Sequence, residues 1–183
     1  EPSRAAEQIR AAKRCLVSGG ELIIAACNPF GLKYWAGARA DDHGFSKKTL
    51  ETLLGTDGET SWYYPMPDIK VPVTIFSDEY LPGRGELSDN RRNFDRDRLQ
   101  LFDEKKVFDT VLAEGLFGEL ANSFLIEAGN RTGEQRVIYS KYSNERARQF
   151  AIRTDICKKA DGEKSVRKYA LYPEGREHIC HME

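Results

Sequence analysis

The sequence predicts an α/β fold that passes into a strand-rich α+β module. Three observations predict it: apolar residues recur at helical spacing near the amino end, an almost continuous apolar run follows a Gly-Gly turn, and beyond Arg136 nearly every patterned segment reads as a strand. Ala5, Ile9, Ala12 and Leu16, spaced three and four apart, give one apolar face to a helix that opens after Pro2-Ser3 and stops at Ser18-Gly19-Gly20. Glu21–Cys27 then predicts a strand buried on both faces, an interior rung of its sheet. Behind it the loop CNPFGLKYWAGARADD carries three aromatics and two adjacent aspartates, and loops held at strand ends by a rigid sheet are where binding groups collect.

The next helix spans 46–54, with Ser46 as N-cap, Leu50, Leu53 and Leu54 on one face and Gly55 as its stop. TSWYYP and VPVTIFS follow as strands joined by MPDIK. Pro65, Pro67 and Pro72 crowd this connection, and because proline cannot donate to a ladder they are expected to hold it rigid and out of a central strand position. From Ser77 to Arg98 the chain is dense in charge and turn residues, an excursion over the sheet or out of it. Val107, Phe108, Val111, Leu112 and Leu116 mark another helix, and NSFLIEAG another strand. GNRTGEQR reads as a linker. VIYSKYS, RQFAIRTDICKK and KSVRKYALY are strands, with the Asp-Gly of ADGE as a hairpin turn, and PEGREHICHME starts a helix with proline in its first turn. The expected organisation is a partial domain over 1–129, a linker over 130–136 and the start of a second module over 137–183, both chain ends lying away from natural domain boundaries.

Composition narrows the function. Among the 183 residues, 28 Lys and Arg stand against 29 Asp and Glu, a net charge of -1, so nothing global suggests nucleic acid or an anionic membrane as partner, and a local basic patch stays open. No apolar stretch approaches the ~20 residues that span a bilayer, and the opening residues are charged and helical where a secretion signal would be apolar. Cys15, Cys27, Cys157 and Cys180 stand far apart without a Cys-x-x-Cys pair, which predicts reduced thiols and a cytoplasmic protein. His178, Cys180 and His181 read as scattered polar groups at a helix end, so no metal is expected.

LVSGGELIIAACNPFGLKYWAGARADD, FSKKTLETLL and YYPMPDIKVPVTIFSDEYLPGRGEL resemble the C-terminal half of class I S-adenosylmethionine-dependent methyltransferase domains in large bacterial surface-polysaccharide proteins, where they accompany glycosyltransferase-type modules. The resemblance covers residues 5–129. It implies that the opening helix and ELIIAAC form the fourth-to-fifth-strand unit of a Rossmann-like sheet, with YYP and VPVTIFS among its antiparallel final strands. Such domains grip the cofactor with a glycine-rich turn after their first strand and an acidic residue closing the second. Neither is present here: Gly83 and Gly85 lie in a proline-flanked turn. The resemblance therefore implies that S-adenosylmethionine binds an upstream half of the same protein, ahead of Glu1, and that this chain alone is inactive. The implied substrate is a sugar or surface-polysaccharide precursor. The stretch between DDH and FSKKTL is shorter than in the family, read as a lost lid or as residues missing between His43 and Gly44.

A methyltransferase site chiefly supplies alignment and a desolvated wall, with a group to take a proton from a hydroxyl acceptor. Asp42 and His43 suit the catalytic role, and Asn28, Tyr34, Trp35, Tyr64 and Asp68 suit acceptor binding, the last two on the proline-stiffened connection with Tyr63 and Lys70. Phe30, Tyr34 and Trp35 read equally as packing of helix onto sheet, and Asp41 and Asp42 as solvated turn residues. Two other functions stay open. One is a non-catalytic carbohydrate-binding or assembly module that uses the same aromatics. The other is a kinase-like or glycosyltransferase fragment, marked by the Val-x-Lys ending at Lys168 but lacking a glycine-rich phosphate loop ahead of it.

Overall fold

Proline at a first helical turn loses an N–H that has no intrahelical partner anyway, and α1 (Pro2–Cys15) begins in that way. Its last turn carries Lys13 and Arg14, favourable at the negative end of the helix dipole, and Ile9 is its buried residue. A turn through Gly19, at φ +76°, leads into β1 (Glu21–Cys27). These elements come from a computed structural model that describes residues 2–39, 43–55, 58–89, 99, 101–129 and 135–179.

The single-turn helix α2 (Leu32–Trp35) precedes α3 (Lys47–Leu54). Ser46 caps α3 by accepting the Thr49 N–H at 3.2 Å, and Gly55 at φ +69° ends it, as the sequence signals predict. Lys13 Nζ donates to Leu54 O at 2.5 Å, tying α1 to the end of α3. β2 (Glu59–Met66) and β3 (Thr74–Ser77) follow. α4 (Glu104–Ala113) is capped by Asp103, whose carboxylate accepts the Lys105 N–H at 3.2 Å, and α5 (Phe117–Leu120) adds one turn. Then come β4 (Ser123–Gly129), β5 (Gln135–Ser143), β6 (Ile152–Lys159), β7 (Lys164–Ala170) and the short α6 (Arg176–Ile179).

The seven strands described form one sheet in the order β1-β4-β2-β3-β5-β6-β7, and every neighbouring pair is antiparallel. The class is mixed α and β, as expected, but the sheet is not the parallel, Rossmann-like one the resemblance implies. The β3–β5 ladder pairs Thr74 with Lys141 and Ile75 with Ser140, so strands from 1–129 and from 137–183 share one sheet.

Two expectations about individual strands are overturned. Among the described residues β1 lies at the rim of the sheet and pairs with β4, and Ile23 is 63% exposed, so the strand is not buried on both faces. A short apolar run does not by itself reveal how many neighbours it has. Pro65 lies inside β2, between β4 and β3, where the prolines were expected to keep the chain out of a central position. The β2–β4 ladder ends at Tyr63↔Leu125, so the donor that Pro65 lacks falls beyond the last β4 pairing.

The core lies on one face of the sheet. Trp62, Tyr64, Met66, Phe76, Phe124 and Ile126 meet Leu50 and Leu54 of α3, Phe108 of α4 and Phe117 of α5. Aromatic rings meet edge to face there, Trp62 with Phe124 at 5.5 Å and Tyr64 with Phe117 at 5.4 Å, the arrangement their quadrupoles favour. Alternation along β1 turns Ile23 and Ala25 away from these helices, and both are exposed.

Candidate functional site

β1 and β2 are each antiparallel to β4, so they run in the same direction and their carboxyl ends emerge together. Loops 28–44 and 67–73 leave from this end, and the chain enters β4 there. Loops held at the end of a rigid sheet are where binding groups collect.

Two buried asparagines bind these loops into one body. Asn28 donates both amide hydrogens to main-chain carbonyls, Glu119 O at 2.7 Å and Ala121 O at 2.8 Å, while its side-chain oxygen accepts the Phe30 N–H at 3.1 Å. Asn122 mirrors it, accepting the Lys33 N–H at 3.0 Å and donating to Pro67 O at 2.9 Å. Ser123 Oγ accepts the Ile69 N–H at 2.9 Å. Gly31 must be a glycine here, since a Cβ would come within 2.7 Å of Asn122 Cα. Gly44 is equally constrained, with Cys27 O at 2.8 Å from its Cβ position.

Beneath the loops lies an ion pair. Lys33 Nζ donates to the Asp68 carboxylate, and the two side chains are 6% and 0% exposed. Asp68 also accepts the Lys70 N–H at 2.9 Å, closing its own turn. Lys33 stands 4.6 Å from the centre of the Tyr34 ring, a distance at which a cation gains from the ring face.

The sequence-predicted residues divide by exposure. Trp35 (59% exposed) and His43 face solvent, as does Phe30 (51%), and Tyr34 is half-buried. Asn28 and Asp68 are fully buried with main-chain and Lys33 partners, so their polar atoms support the loops. Tyr64 lies deeper, on the core face of β2. Its hydroxyl donates to Asp78 and accepts from Lys47 Nζ at 3.0 Å; burial first, and then the Asp78 carboxylate, push its pKa far above the ordinary phenol value. Asp41 and Asp42 lie outside the described residues. Beside His43 a cleft of about 750 Å³ opens between the start of α1, the loop after β1 and the capped end of α3, lined among others by Arg4, Gln8, Phe30, Phe45 and Thr49.

Asn122, Lys33, Lys47 and Asp78 escaped the sequence reading. The one available signal for Asn122 was a polar Asn-Ser pair opening an otherwise apolar strand; for the lysines there was none, because lysine in a loop or first helical turn is usually solvated. Among the described residues no three His, Cys, Asp or Glu side chains are placed to hold a metal ion. Among them, too, no helix is long and apolar enough to cross a membrane. No protein-family model, curated protein or solved structure matches the chain.

Proposed function

We propose that this chain is the acceptor-binding part of a S-adenosylmethionine-dependent methyltransferase acting on a sugar or surface-polysaccharide precursor, and that a preceding part of the same protein completes its sheet along β1. The observation that carries this reading is the contrast between the two sheet edges. β7 presents Lys164, Arg167 and Lys168, charges that discourage edge pairing, whereas β1 has no charge and no proline between Glu21 and Cys27. An edge left bare in this way is suited to receive another strand.

The glycine-rich turn that seats the cofactor in the resembled family is not found in this sequence. The glycine after β1 that tolerates close approach, Gly31, is already filled by Asn122, so the cofactor belongs to the preceding part. What this chain contributes is acceptor binding: Phe30 and Trp35 offer ring faces for a sugar to stack on, and His43, on the cleft wall, accepts a hydroxyl proton.

Titration calorimetry tests the proposal. The 183-residue chain is expected to give no heat with S-adenosylmethionine, and a polypeptide carrying on the order of 100–150 preceding residues, about one domain half, is expected to bind it. Binding by the shorter chain, or none by the longer, defeats the reading. The exposed rings also favour a second reading, a carbohydrate-binding module without cofactor. Sugar binding by the chain alone, lost in Trp35→Ala, together with silence of the longer polypeptide toward the cofactor, would establish that alternative.

A further inference from the structure

A second cleft, of about 420 Å³, opens on the helix-bearing face where β3 meets β5, and the function proposed above makes no use of it. Its floor is apolar: Met66, Phe76 and Leu87 are each almost wholly buried there, with Val73 beside them. Three cations reach its rim from three different elements, Lys105 from the first turn of α4, Lys141 from β5 and Arg146 from the loop after β5. Among the described residues none of these three has a carboxylate partner, although the exposed lysines and arginines elsewhere include several that do, such as Lys159 with Glu163 and Arg148 with Glu174. Of the two acids on the rim, Glu86 is turned to the Gly83 N–H, which it accepts at 2.6 Å, and Glu145 adjoins Arg146 in the chain.

Unpaired cations above an apolar floor define an amphipathic anion. We propose that this cleft binds a small organic phosphate, its apolar or ring portion on Met66, Phe76 and Leu87 and its phosphate held by Arg146, Lys141 and Lys105. A phosphate suits the rim better than a carboxylate. It carries up to two charges on three equivalent oxygens, enough to engage all three cations, and a guanidinium fork matches two of those oxygens at once. Lys105 stands at the positive end of the α4 dipole, which adds to the same field. The volume lies within the roughly 300–1,000 Å³ of ordinary small-molecule sites.

The test is calorimetry of the chain at low salt with phenyl phosphate and with inorganic phosphate as probes. Phenyl phosphate is expected to bind saturably and at least about tenfold more tightly than inorganic phosphate, because only it reaches the apolar floor. Lys141→Glu and Arg146→Glu are each expected to weaken it by about tenfold or more, while Lys106→Glu, the same charge change on an exposed residue of α4 that does not line the cleft, leaves it unchanged. Circular dichroism checks that each variant folds. No binding of phenyl phosphate at millimolar concentration, equal affinity for the two probes, or equal loss in all three variants overturns the proposal. The outcome is independent of cofactor binding, so it stands or falls separately from the methyltransferase reading.

Discussion

Breaking the Lys33–Asp68 pair should cost far more than removing a surface ion pair. The Asp68 carboxylate is fully buried and the Lys33 side chain is 6% exposed, so either group left alone keeps its desolvation penalty without the opposing charge. Lys33→Met strands the carboxylate, to which, among the described residues, the Lys70 N–H at 2.9 Å still donates. Asp68→Asn takes the buried carboxylate away from the ammonium, which still stands 4.6 Å from the centre of the Tyr34 ring. Each single variant is expected to lose about 3–5 kcal/mol, a large share of the roughly 5–15 kcal/mol that holds a typical domain. In a chain of this length that is a fall in Tm of roughly 6–20 °C. The Lys33→Met/Asp68→Asn double variant removes both charges, and should be more stable than the sum of the singles by about 2 kcal/mol or more. Urea denaturation followed by circular dichroism, with the slope checked for constancy, reads all four corners of the cycle. Singles costing under about 1 kcal/mol, the range of solvated pairs, or a double variant that is simply additive, would refute the idea that this pair is desolvated and clamps the loops.

Asn28→Ala should destabilise by about 2–3 kcal/mol, because it leaves the Glu119 and Ala121 carbonyls without donors in a buried setting; thermal unfolding measures this, and an unchanged midpoint would return Asn28 to the list of residues available for ligand. Tyr64 yields a pH prediction. Its folded-state pKa lies far above its unfolded value of about 10, so the folded chain keeps a proton that the unfolded chain releases. The stability this supplies is fully present below about pH 10 and is lost progressively above it; Tyr64→Phe should flatten that alkaline fall in denaturation midpoints, although Tyr139, pushed up to about 12 mainly by burial, will leave part of it.

What could be read from the sequence was what short-range physics determines. The Ala5, Ile9 and Ala12 spacing, the Ser46 cap and the Gly55 stop each act within a few residues, and the helices stand where they predict. The roles of Asn28 and Asp68 could not be read in the same way, because their partners Glu119, Ala121 and Lys33 are set by tertiary folding and the first two lie more than ninety residues away. A buried asparagine that closes loops and one that grips a substrate look alike along the chain. Strand direction was hidden for a similar reason: ELIIAAC reads as a strand whether its neighbours run with it or against it. Pro65 shows the limit of a positional rule, since proline is excluded only from the side of a strand where a ladder is still running. For Trp35 and His43 the loop composition did point to exposed groups at a strand end, and they emerge at the shared carboxyl end of β1 and β2.

The pairing of β1 with β4 has a consequence for synthesis. Cys27 meets Ser123, so the amino-terminal rung leaves the ribosome roughly a hundred residues before its ladder partner β4, a delay of about 5–20 s at ordinary elongation rates. Throughout that interval ELIIAAC is an unshielded adhesive segment whose one charge is Glu21 at its start. A strand made earlier and already folded would shelter it at once, whereas a chain started at residue 1 must rely on a chaperone or risk sticking to its neighbours.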